Sequence, residues 1–155
     1  AICMDGKLFT GQHQKAGEFG HMILKPEGKQ CYCGKKGCAD AYCAGSVLLQ
    51  NGAENLDTFM SQLGTDQERD AVWQQYLDNL AILISNIRMF FDTDIILGGA
   101  VGGYLSSHMI PLSEKVFRYN LFDGDVSYLK NCSYQKEASA VGVAKYFFET
   151  LIDQV

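Results

Sequence analysis

The sequence predicts an α/β protein, and a strand with the turn and helix that follow it carries the prediction. Residues 94–97 (DIIL) form a short, mostly apolar run, which is typical of a parallel strand covered on both faces. A glycine-rich turn over 98–103 comes next, and a helix is predicted from about Tyr104 or Ser107 to Asn120. Strand, glycine turn and helix in this order form the common phosphate-binding unit of α/β proteins.

A β-hairpin is predicted at the beginning of the chain. Residues 1–4 (AICM) and 7–10 (KLFT) have the pattern of strands, and Asp5-Gly6 favours the type I′ turn that joins two antiparallel strands. Because the chain opens inside a hairpin, without the leader of a natural N-terminus, we expect the natural protein to begin before Ala1.

Helices are predicted over most of the remaining chain. Asn55 is the expected N-cap of a short helix, and Thr65 with Glu68 three positions later has the sequence of a capping box. The predicted elements are a helix over 42–50 that stops at Asn51-Gly52, a helix over 55–63, a long helix from Thr65 to about Phe91, a strand over 128–132 and a closing helix from Gln135 to about Asp153.

The long helix carries apolar residues on more than one side. A stripe at spacings of three and four residues predicts one buried face, while Trp73, Leu77 and Ile82 lie off that stripe. Either the core face is wide, or the helix also packs against a second surface such as a partner subunit. The stripe consists of Val72, Tyr76, Leu80, Leu83, Ile84 and Ile87.

Length, charge and cysteine content restrict the class of protein. A chain of 155 residues forms one domain with a real core, and its formal net charge of −5 argues against DNA binding by this part of the protein. No apolar run approaches the ~20 residues that span a bilayer, and no signal peptide is recognisable. The six cysteines indicate a reducing, cytoplasmic environment, with Cys3, Cys43 and Cys132 as small core residues.

The most informative segment is GEFGHMILKPEGKQCYCGKKGCAD, residues 17–40. It contains His21, Cys31, Cys33 and Cys38, so that three cysteines in the pattern Cys-x-Cys-x4-Cys follow one histidine. Three thiolates and one neutral imidazole close a tetrahedral structural zinc site and leave no open position for a water nucleophile.

Two other interpretations of the cysteines are open. They could be inert core thiols, but glycine, lysine and glutamine surround them and no apolar strand runs through them. They could form a disulfide, but a bridge from Cys31 to Cys33 across one residue would be strained. We therefore predict a structural Zn²⁺ in a loop over 21–40.

The same segment resembles the signature of the ROK family, which comprises bacterial sugar-responsive repressors, sugar kinases and uncharacterised members. Residues 17–21 (GEFGH) are similar to its E-x-G-H motif, and 31–40 (CYCGKKGCAD) to its C-x-C-G-x-x-G-C-x-E motif. Segments 94–103 and 137–145 match the family more loosely. The resemblance implies the C-terminal half of an actin-like, ribonuclease-H-like ATPase fold, with 1–155 as one subdomain and the N-terminal part of the protein absent.

The resemblance also implies the roles of individual residues. His21, Cys31, Cys33 and Cys38 would hold the zinc, and Glu18, His21 and Asp40 would face a sugar. A carboxylate such as Glu18 accepts hydrogen bonds from two vicinal hydroxyls, and a metal on one nitrogen of His21 fixes the direction of the other. Asp40 stands where the family has glutamate, so its shorter side chain leaves room for an intervening water.

Two functions of different classes agree with the resemblance. The preferred one is the effector domain of a sugar-responsive transcriptional regulator, which would be a homodimer and not an enzyme. This chain would bind a sugar or sugar phosphate, and the protein would bind DNA only through an N-terminal domain outside this chain. The alternative is a kinase for a hexose or N-acetylhexosamine, with ATP and Mg²⁺ beside Gly98, Gly99 and Ala100. Ala100 replaces the third glycine of that turn and so favours the regulator.

Overall fold

A helix of 25 residues is the longest element of the protein, and the core forms around it. A computed structural model describes residues 1–50, 52–134 and 137–152. Parallel and antiparallel strand pairs occur together with the helices, which confirms the α/β class. In chain order the elements are strands β1 (Ile2–Met4) and β2 (Lys7–Phe9), a 3₁₀ turn (Phe19–His21), helix α1 (Asp40–Cys43), a 3₁₀ helix (Gly45–Leu49), helices α2 (Leu56–Ser61) and α3 (Gln67–Phe91), strand β3 (Ile95–Leu97), helix α4 (Gly99–Leu105), a 3₁₀ turn (Ser106–His108), helix α5 (Met109–Tyr119), strand β4 (Leu129–Asn131) and helix α6 (Ala138–Ile152).

Strands β1 and β2 form the predicted hairpin. They pair antiparallel with Ile2 opposite Phe9. Asp5 has φ of 50° and Gly6 has φ of 78°, and both central residues of a type I′ turn need positive φ.

The predicted helix over 42–50 is divided into two shorter elements. α1 ends at Cys43, the backbone is extended at Ala44 with φ −70° and ψ 146°, and the following residues form a 3₁₀ helix. The Tyr76 hydroxyl on α3 donates a hydrogen bond of 2.9 Å to the Cys43 carbonyl. In a continuous helix this carbonyl would instead accept a hydrogen bond from a backbone N–H. Of the predicted stop at Asn51-Gly52, Asn51 lies outside the described residues.

Asn55 caps α2 as predicted. Its side-chain oxygen accepts a hydrogen bond of 2.8 Å from the backbone N–H of Thr58. Phe59 on the same helix is fully buried and belongs to the core.

Asp66, rather than the predicted Thr65, caps α3. The Asp66 carboxylate accepts hydrogen bonds from the backbone N–H groups of Arg69 and Glu68, and the first of these contributes most to holding its pKa below the ordinary range. The Thr65 hydroxyl instead donates to the carbonyl of Gln62 and closes the preceding turn. The prediction failed by one position because two residues suited to capping are adjacent in the sequence.

The core face of α3 is wide, and Trp73 and Leu77, two of the three residues off the predicted stripe, also belong to the core. Trp73 is 2% exposed and its ring stacks on that of Tyr76 with centroids 5.4 Å apart, and Leu77 is completely buried. Leu83 and Ile87, which the stripe included, are only half-buried. The wide core face therefore accounts for Trp73 and Leu77, whereas Ile82 is half-buried and lies outside the core cluster.

Strands β3 and β4 lie within their predicted ranges and pair in parallel, with Ile95 opposite Leu129. The predicted coverage on both faces is wrong for the described chain. Leu97 is 9% exposed, whereas Ile96, on the opposite face, is 66% exposed. Side chains alternate along a strand, so one face of this pair packs on the core and the other is open.

The helix predicted from Tyr104 or Ser107 begins earlier, at Gly99. A 3₁₀ turn over 106–108 then separates α4 from α5. Glycine weakens isolated helices, which is why the sequence indicated a turn over this stretch. Tertiary packing decides otherwise, since a Cβ on Gly102 would lie only 3.1 Å from the Leu97 carbonyl oxygen and glycine lets the helix approach the strand.

The C-terminal helix is observed from Ala138 to Ile152. Gln135, where it was predicted to begin, and Asp153, where it was predicted to end, lie outside the described residues. None of the helices in the described part of the chain combines the length and apolarity that a bilayer crossing requires.

None of the three cysteines predicted as core residues is fully buried. Cys3 is exposed because the hairpin leaves this side of β1 open, while Cys43 and Cys132 are half-buried. Cys43 packs against the core, and burial raises the pKa of its thiol to about 12.

We expect Leu112→Ala to reduce the free energy of unfolding by about 3 kcal/mol, because it leaves a cavity at a buried site. Leu112 is completely buried on α5, which packs against α3. Urea unfolding followed by circular dichroism measures the effect. Ile110→Ala, at a residue of the same helix that is 76% exposed, is the matched control and should cost less than about 0.5 kcal/mol. Equal losses for the two variants would contradict the observed packing of α5.

Candidate functional site

Backbone hydrogen bonds give the loop over 21–40 its shape. The Gly37 carbonyl accepts hydrogen bonds from the N–H groups of Leu24 at 2.7 Å and Lys25 at 3.1 Å, and the N–H of Ala39 donates to the Met22 carbonyl at 2.8 Å. Gly37 has φ of 83°, and a Cβ there would overlap the Lys25 carbonyl oxygen. Only glycine satisfies both conditions, so the two arms of the loop can join beside the last cysteine of the motif.

His21, Cys31, Cys33 and Cys38 converge on one point. One ligand atom of each lies within 4.8 Å of those of the other three. The sulfur atoms of Cys33 and Cys38 are 3.6 Å apart, and Cys31 Sγ is 3.8 Å from His21 Nδ1. Zinc bound tetrahedrally to sulfur at about 2.3 Å separates two thiolates by roughly 3.8 Å. The four residues predicted from the sequence therefore come together as a cluster that could hold a metal ion, and all six cysteines are free thiols.

The thiols of this cluster differ in how readily they ionise. Burial, together with hydrogen bonding to the thiols of Cys33 and Cys31, raises the pKa of Cys38 to about 11. A hydrogen bond from the backbone of Lys35 lowers the pKa of the exposed Cys33 thiol. Zinc binds thiolate rather than thiol, so metal binding must displace the proton of Cys38. Metal affinity is therefore expected to fall as the pH falls.

The imidazole of His21 faces a different environment through each nitrogen. Nδ1 is turned towards the thiols, whereas Nε2 lies 3.2 Å from the Tyr32 hydroxyl and 4.0 Å from Glu18 Oε2. A metal on Nδ1 would leave the proton on Nε2, which then donates towards these oxygens. His21 thus joins the cysteine cluster to a polar, open side, which we call the sugar face and define as Glu18, His21, Tyr32 and Asp40.

Asp40 and Glu18 supply carboxylates to the sugar face. The Asp40 side chain lies against the turn that carries His21, since a Cβ on Gly20 would be 3.4 Å from Asp40 Oδ1. The Glu18 side chain is 67% exposed and immediately precedes that turn. The structure therefore brings together the three residues that the resemblance assigned to the sugar, and the sugar contacts themselves stay a prediction.

Two contacts fix the turn of the sugar face in place. The ring of Phe19 meets that of Phe91, at the end of α3, edge-on with centroids 5.6 Å apart. The Lys35 ammonium donates a hydrogen bond of 2.9 Å to the His21 carbonyl. The position of His21 is therefore set by the core helix on one side and by the cysteine loop on the other.

Tyr32 is a residue of the sugar face to which the sequence pattern gave no role. Its ring is 82% exposed and meets the His21 ring edge-on at 5.3 Å. Partial desolvation of the hydroxyl, and then the charge of Asp40, raise the pKa of Tyr32. Tyr32 could have been identified from its position in the sequence between Cys31 and Cys33, because a residue between two ligands of one ion must lie beside that ion.

Gly98, Gly99 and Ala100 form the beginning of α4. Gly99 has φ of 75°, and a Cβ on Gly98 would lie 3.1 Å from the Cβ of Cys132. The backbone conformation at Gly99 and the close packing at Gly98 therefore favour glycine independently of any nucleotide. Nucleotide binding at this turn stays a prediction.

The chain belongs to the ROK family, whose family model matches residues 1–149. The fold agrees with this membership. The crystal structure of the ROK hexokinase from Thermus thermophilus superposes with a TM-score of 0.80, covering 96% of this chain and 52% of that chain, at 23% sequence identity. The ROK-family fold expected from the resemblance is thereby confirmed for this chain.

Individual relatives are similar to this chain over part of their length. The N-acetylmannosamine kinase of Vibrio cholerae serotype O1 is 32% identical over 114 residues, which cover 67% of this chain and 40% of the relative. The N-acetylmannosamine kinase of Salmonella arizonae is 27% identical over 153 residues, which cover 92% of this chain and 50% of the relative. The chain thus spans about half the length, or less, of these relatives.

These comparisons favour the kinase alternative over the regulator that was preferred from the sequence. Both relatives named above are sugar kinases, and the similar crystal structure is that of a hexokinase. The preference for a regulator rested partly on Ala100, whose methyl was taken to hinder nucleotide approach. That inference was weak because the Ala100 side chain is exposed and the adjacent glycines serve the packing of the turn.

The purified protein is expected to contain about one zinc per chain and to lose it in the Cys31→Ser variant, because all four ligands are needed to close the site. Elemental analysis by mass spectrometry measures the metal. Cys3→Ser makes the same chemical change at an exposed residue outside the cluster and should keep the zinc. Adding zinc to metal-free protein in weak buffer should release protons. A folded wild-type protein without metal, or equal zinc in both variants, would refute the assignment.

Proposed function

We propose that this chain forms the sugar-binding half of a ROK-family sugar kinase. The observation that carries the proposal is the position of His21, with Nδ1 at the cysteine cluster and Nε2 towards Glu18 and Tyr32. An imidazole held in this way has a fixed ring orientation and presents one defined N–H to a ligand. Fixed donors and acceptors on an open face suit a ligand that offers several hydroxyl groups.

The carboxylates of the sugar face would do most of the sugar binding. Glu18 would accept hydrogen bonds from two neighbouring hydroxyls, and the Nε2–H of His21 would donate to an oxygen of the same sugar. Asp40, one methylene shorter than the glutamate of the family motif, would act directly or through a water. When bound to the four ligands, zinc would supply charge and rigidity and fix the tautomer of His21.

Phosphoryl transfer would require groups beyond the sugar face. Such transfer depends on positioning and on stabilising charge, with Mg²⁺ and a base at the accepting hydroxyl. We assign the turn Gly98, Gly99 and Ala100 to the neighbourhood of ATP, and place the base and the phosphate loop in residues outside this chain. The accepting sugar would be a hexose or N-acetylhexosamine, the class suggested by the names of the similar kinases.

A regulatory effector domain is the second candidate. It needs no nucleotide at the turn before α4, and both glycines of that turn have a packing or backbone reason that is independent of a nucleotide. A sugar face of the same composition would serve in either protein, because sensing and catalysis both begin with recognition of hydroxyls. Only the kinase would consume ATP when the sugar is present.

We expect sugar-dependent ATP consumption by the protein together with any segment that its gene places before Ala1. N-acetylmannosamine and glucose are the first substrates to test, in a coupled assay of ADP release. Glu18→Gln keeps the shape but weakens the acceptor, and should lower kcat/KM at least tenfold, which corresponds to roughly 1.4 kcal/mol.

Glu27→Gln is the matched control, since Glu27 is an exposed carboxylate of the same loop that is not part of the sugar face. Saturable sugar binding without ATP consumption would favour the effector domain. Unchanged kinetics in Glu18→Gln would show that Glu18 does not contact the sugar.

Tyr32→Phe is expected to tighten sugar binding. The Tyr32 hydroxyl occupies the hydrogen-bonding position at His21 Nε2 when no sugar is bound, so a sugar hydroxyl must displace it. Removing one such hydrogen bond should lower the Kd roughly two- to tenfold. Calorimetric titration measures the change, and Tyr119→Phe, at an exposed tyrosine of α5, is the control. Weaker binding would mean instead that the hydroxyl contacts the sugar directly.

A further inference from the structure

The thiols of Cys33 and Cys38 are placed to react with each other as well as to bind a metal. Their Sγ atoms lie 3.6 Å apart. A disulfide joins two sulfur atoms at about 2.05 Å, so a closing movement of roughly 1.5 Å would bring the two atoms into bonding distance. Cys31 is a poorer partner for Cys33, because a bridge across a single residue would be strained. Cys33 and Cys38 therefore form a dithiol whose geometry is close to that of a disulfide.

The two sulfur atoms differ in how solvent reaches them. Cys33 is exposed and lies in a turn over 32–36 in which every residue is exposed. A Cβ on Gly34 would meet nothing within 4 Å, so open space adjoins this turn and allows it to move. Cys38 is completely buried and follows Gly37, whose carbonyl accepts two backbone hydrogen bonds. A small oxidant in solution therefore reaches Cys33 first, and Cys38 lies beside it as a fixed second thiol.

We propose that Cys33 is a site of oxidation by hydrogen peroxide and that Cys38 completes the reaction by forming a disulfide with it. The Cys33 sulfur attacks one peroxide oxygen, the O–O bond breaks, and Cys33 becomes a sulfenic acid as the first water leaves. The Cys38 sulfur then displaces the hydroxyl group, which leaves as the second water with the proton of that thiol. The two thiols thus lose two electrons to the peroxide, which is reduced to water.

The disulfide and a metal ion exclude each other, because they need the same two sulfur atoms. Cys33 and Cys38 are two of the four residues whose ligand atoms lie within 4.8 Å of one another. Zinc binds thiolate, and a sulfur in a disulfide carries no negative charge to donate. The oxidised loop would keep only His21 and Cys31 of the four ligands, which are too few to close a tetrahedral site. When bound, zinc would in turn shield Cys33 from peroxide.

Mass spectrometry of the protein treated with hydrogen peroxide tests the proposal. Free thiols are blocked with iodoacetamide, and trypsin then separates Cys33, in peptide 30–35, from Cys38, in peptide 37–69. The two peptides should be joined by a bridge that fragmentation assigns to Cys33 and Cys38. Cys3→Ser, at the other exposed thiol, should form the same bridge, whereas Cys33→Ser should not. An equal yield of bridged peptides from Cys33→Ser, or Cys33 as a sulfinic acid without a bridge, would overturn the proposal.

Zinc measurements on the same samples test whether the disulfide excludes the metal. A colorimetric chelator should detect about one zinc released for each disulfide formed, and dithiothreitol should restore zinc binding. Cys31→Ser, which lacks a ligand but keeps the dithiol, and wild-type protein stripped of zinc should both form the bridge several times faster than the zinc-loaded protein. Zinc that stays bound to the oxidised protein, or equal rates with and without zinc, would overturn the exclusion. A bridge in a protein that binds no zinc would support the dithiol and refute only the metal assignment.

Discussion

The gathering of three thiols and one imidazole in the loop over 21–40 is the constraint on which the candidate site depends. Between the turn that ends at His21 and the helix that begins at Asp40, isolated bridges, single backbone hydrogen bonds and a few side-chain hydrogen bonds hold the chain. Sulfur atoms at this spacing repel one another when ionised, and ionisation of the buried Cys38 is opposed by desolvation. A divalent cation would remove both penalties at once. The direction of the His21 ring, and with it the sugar face, follows from this arrangement.

Helix α3 provides the rigid reference for the loop. Phe91 at its end packs on the turn of the sugar face, and Tyr76 near its middle holds the carbonyl that ends α1. The end of α3 is itself tied to the segment before β4, because Arg88 pairs with Asp123 through two hydrogen bonds of 3.0 Å and 3.1 Å. This pairing lowers the pKa of Asp123, so its stabilising effect is present above the ordinary pKa of aspartate and is lost as the pH falls through the lowered value.

The loop over 21–40 presents different polar side chains on its two sides. The sugar face presents two carboxylates around one imidazole, which suits a neutral ligand with many hydroxyl groups. The other side of the loop presents the ammonium groups of Lys25 and Lys29 beside the ring of Tyr42. One short loop contributes to both, because its cysteines and glycines fold it back on itself and expose different side chains on each side.

Much of the site could be predicted from the sequence, because short motifs with fixed spacing encode it. The order of His21, Cys31, Cys33 and Cys38 indicated the cluster, and the adjoining E-x-G-H motif indicated the family. Sequence patterns were less reliable where tertiary packing overrides local preference. Glycines weaken an isolated helix, but here they allow α4 to pack closely against β3. Trp73 and Leu77 belong to a core face that is wider than their spacing indicated.

The sequence by itself determined which residues can bind a metal, the hairpin turn at Asp5-Gly6 and the approximate positions of α2, α3 and the four strands. Those features depend on residue type and on neighbours close in the chain. Only the tertiary structure decided that Nε2 of His21 faces Glu18 and Tyr32, and that Lys25 and Lys29 lie beside the ring of Tyr42. Such relations join residues that are distant in sequence, and their geometry is fixed only when the loop packs against α3.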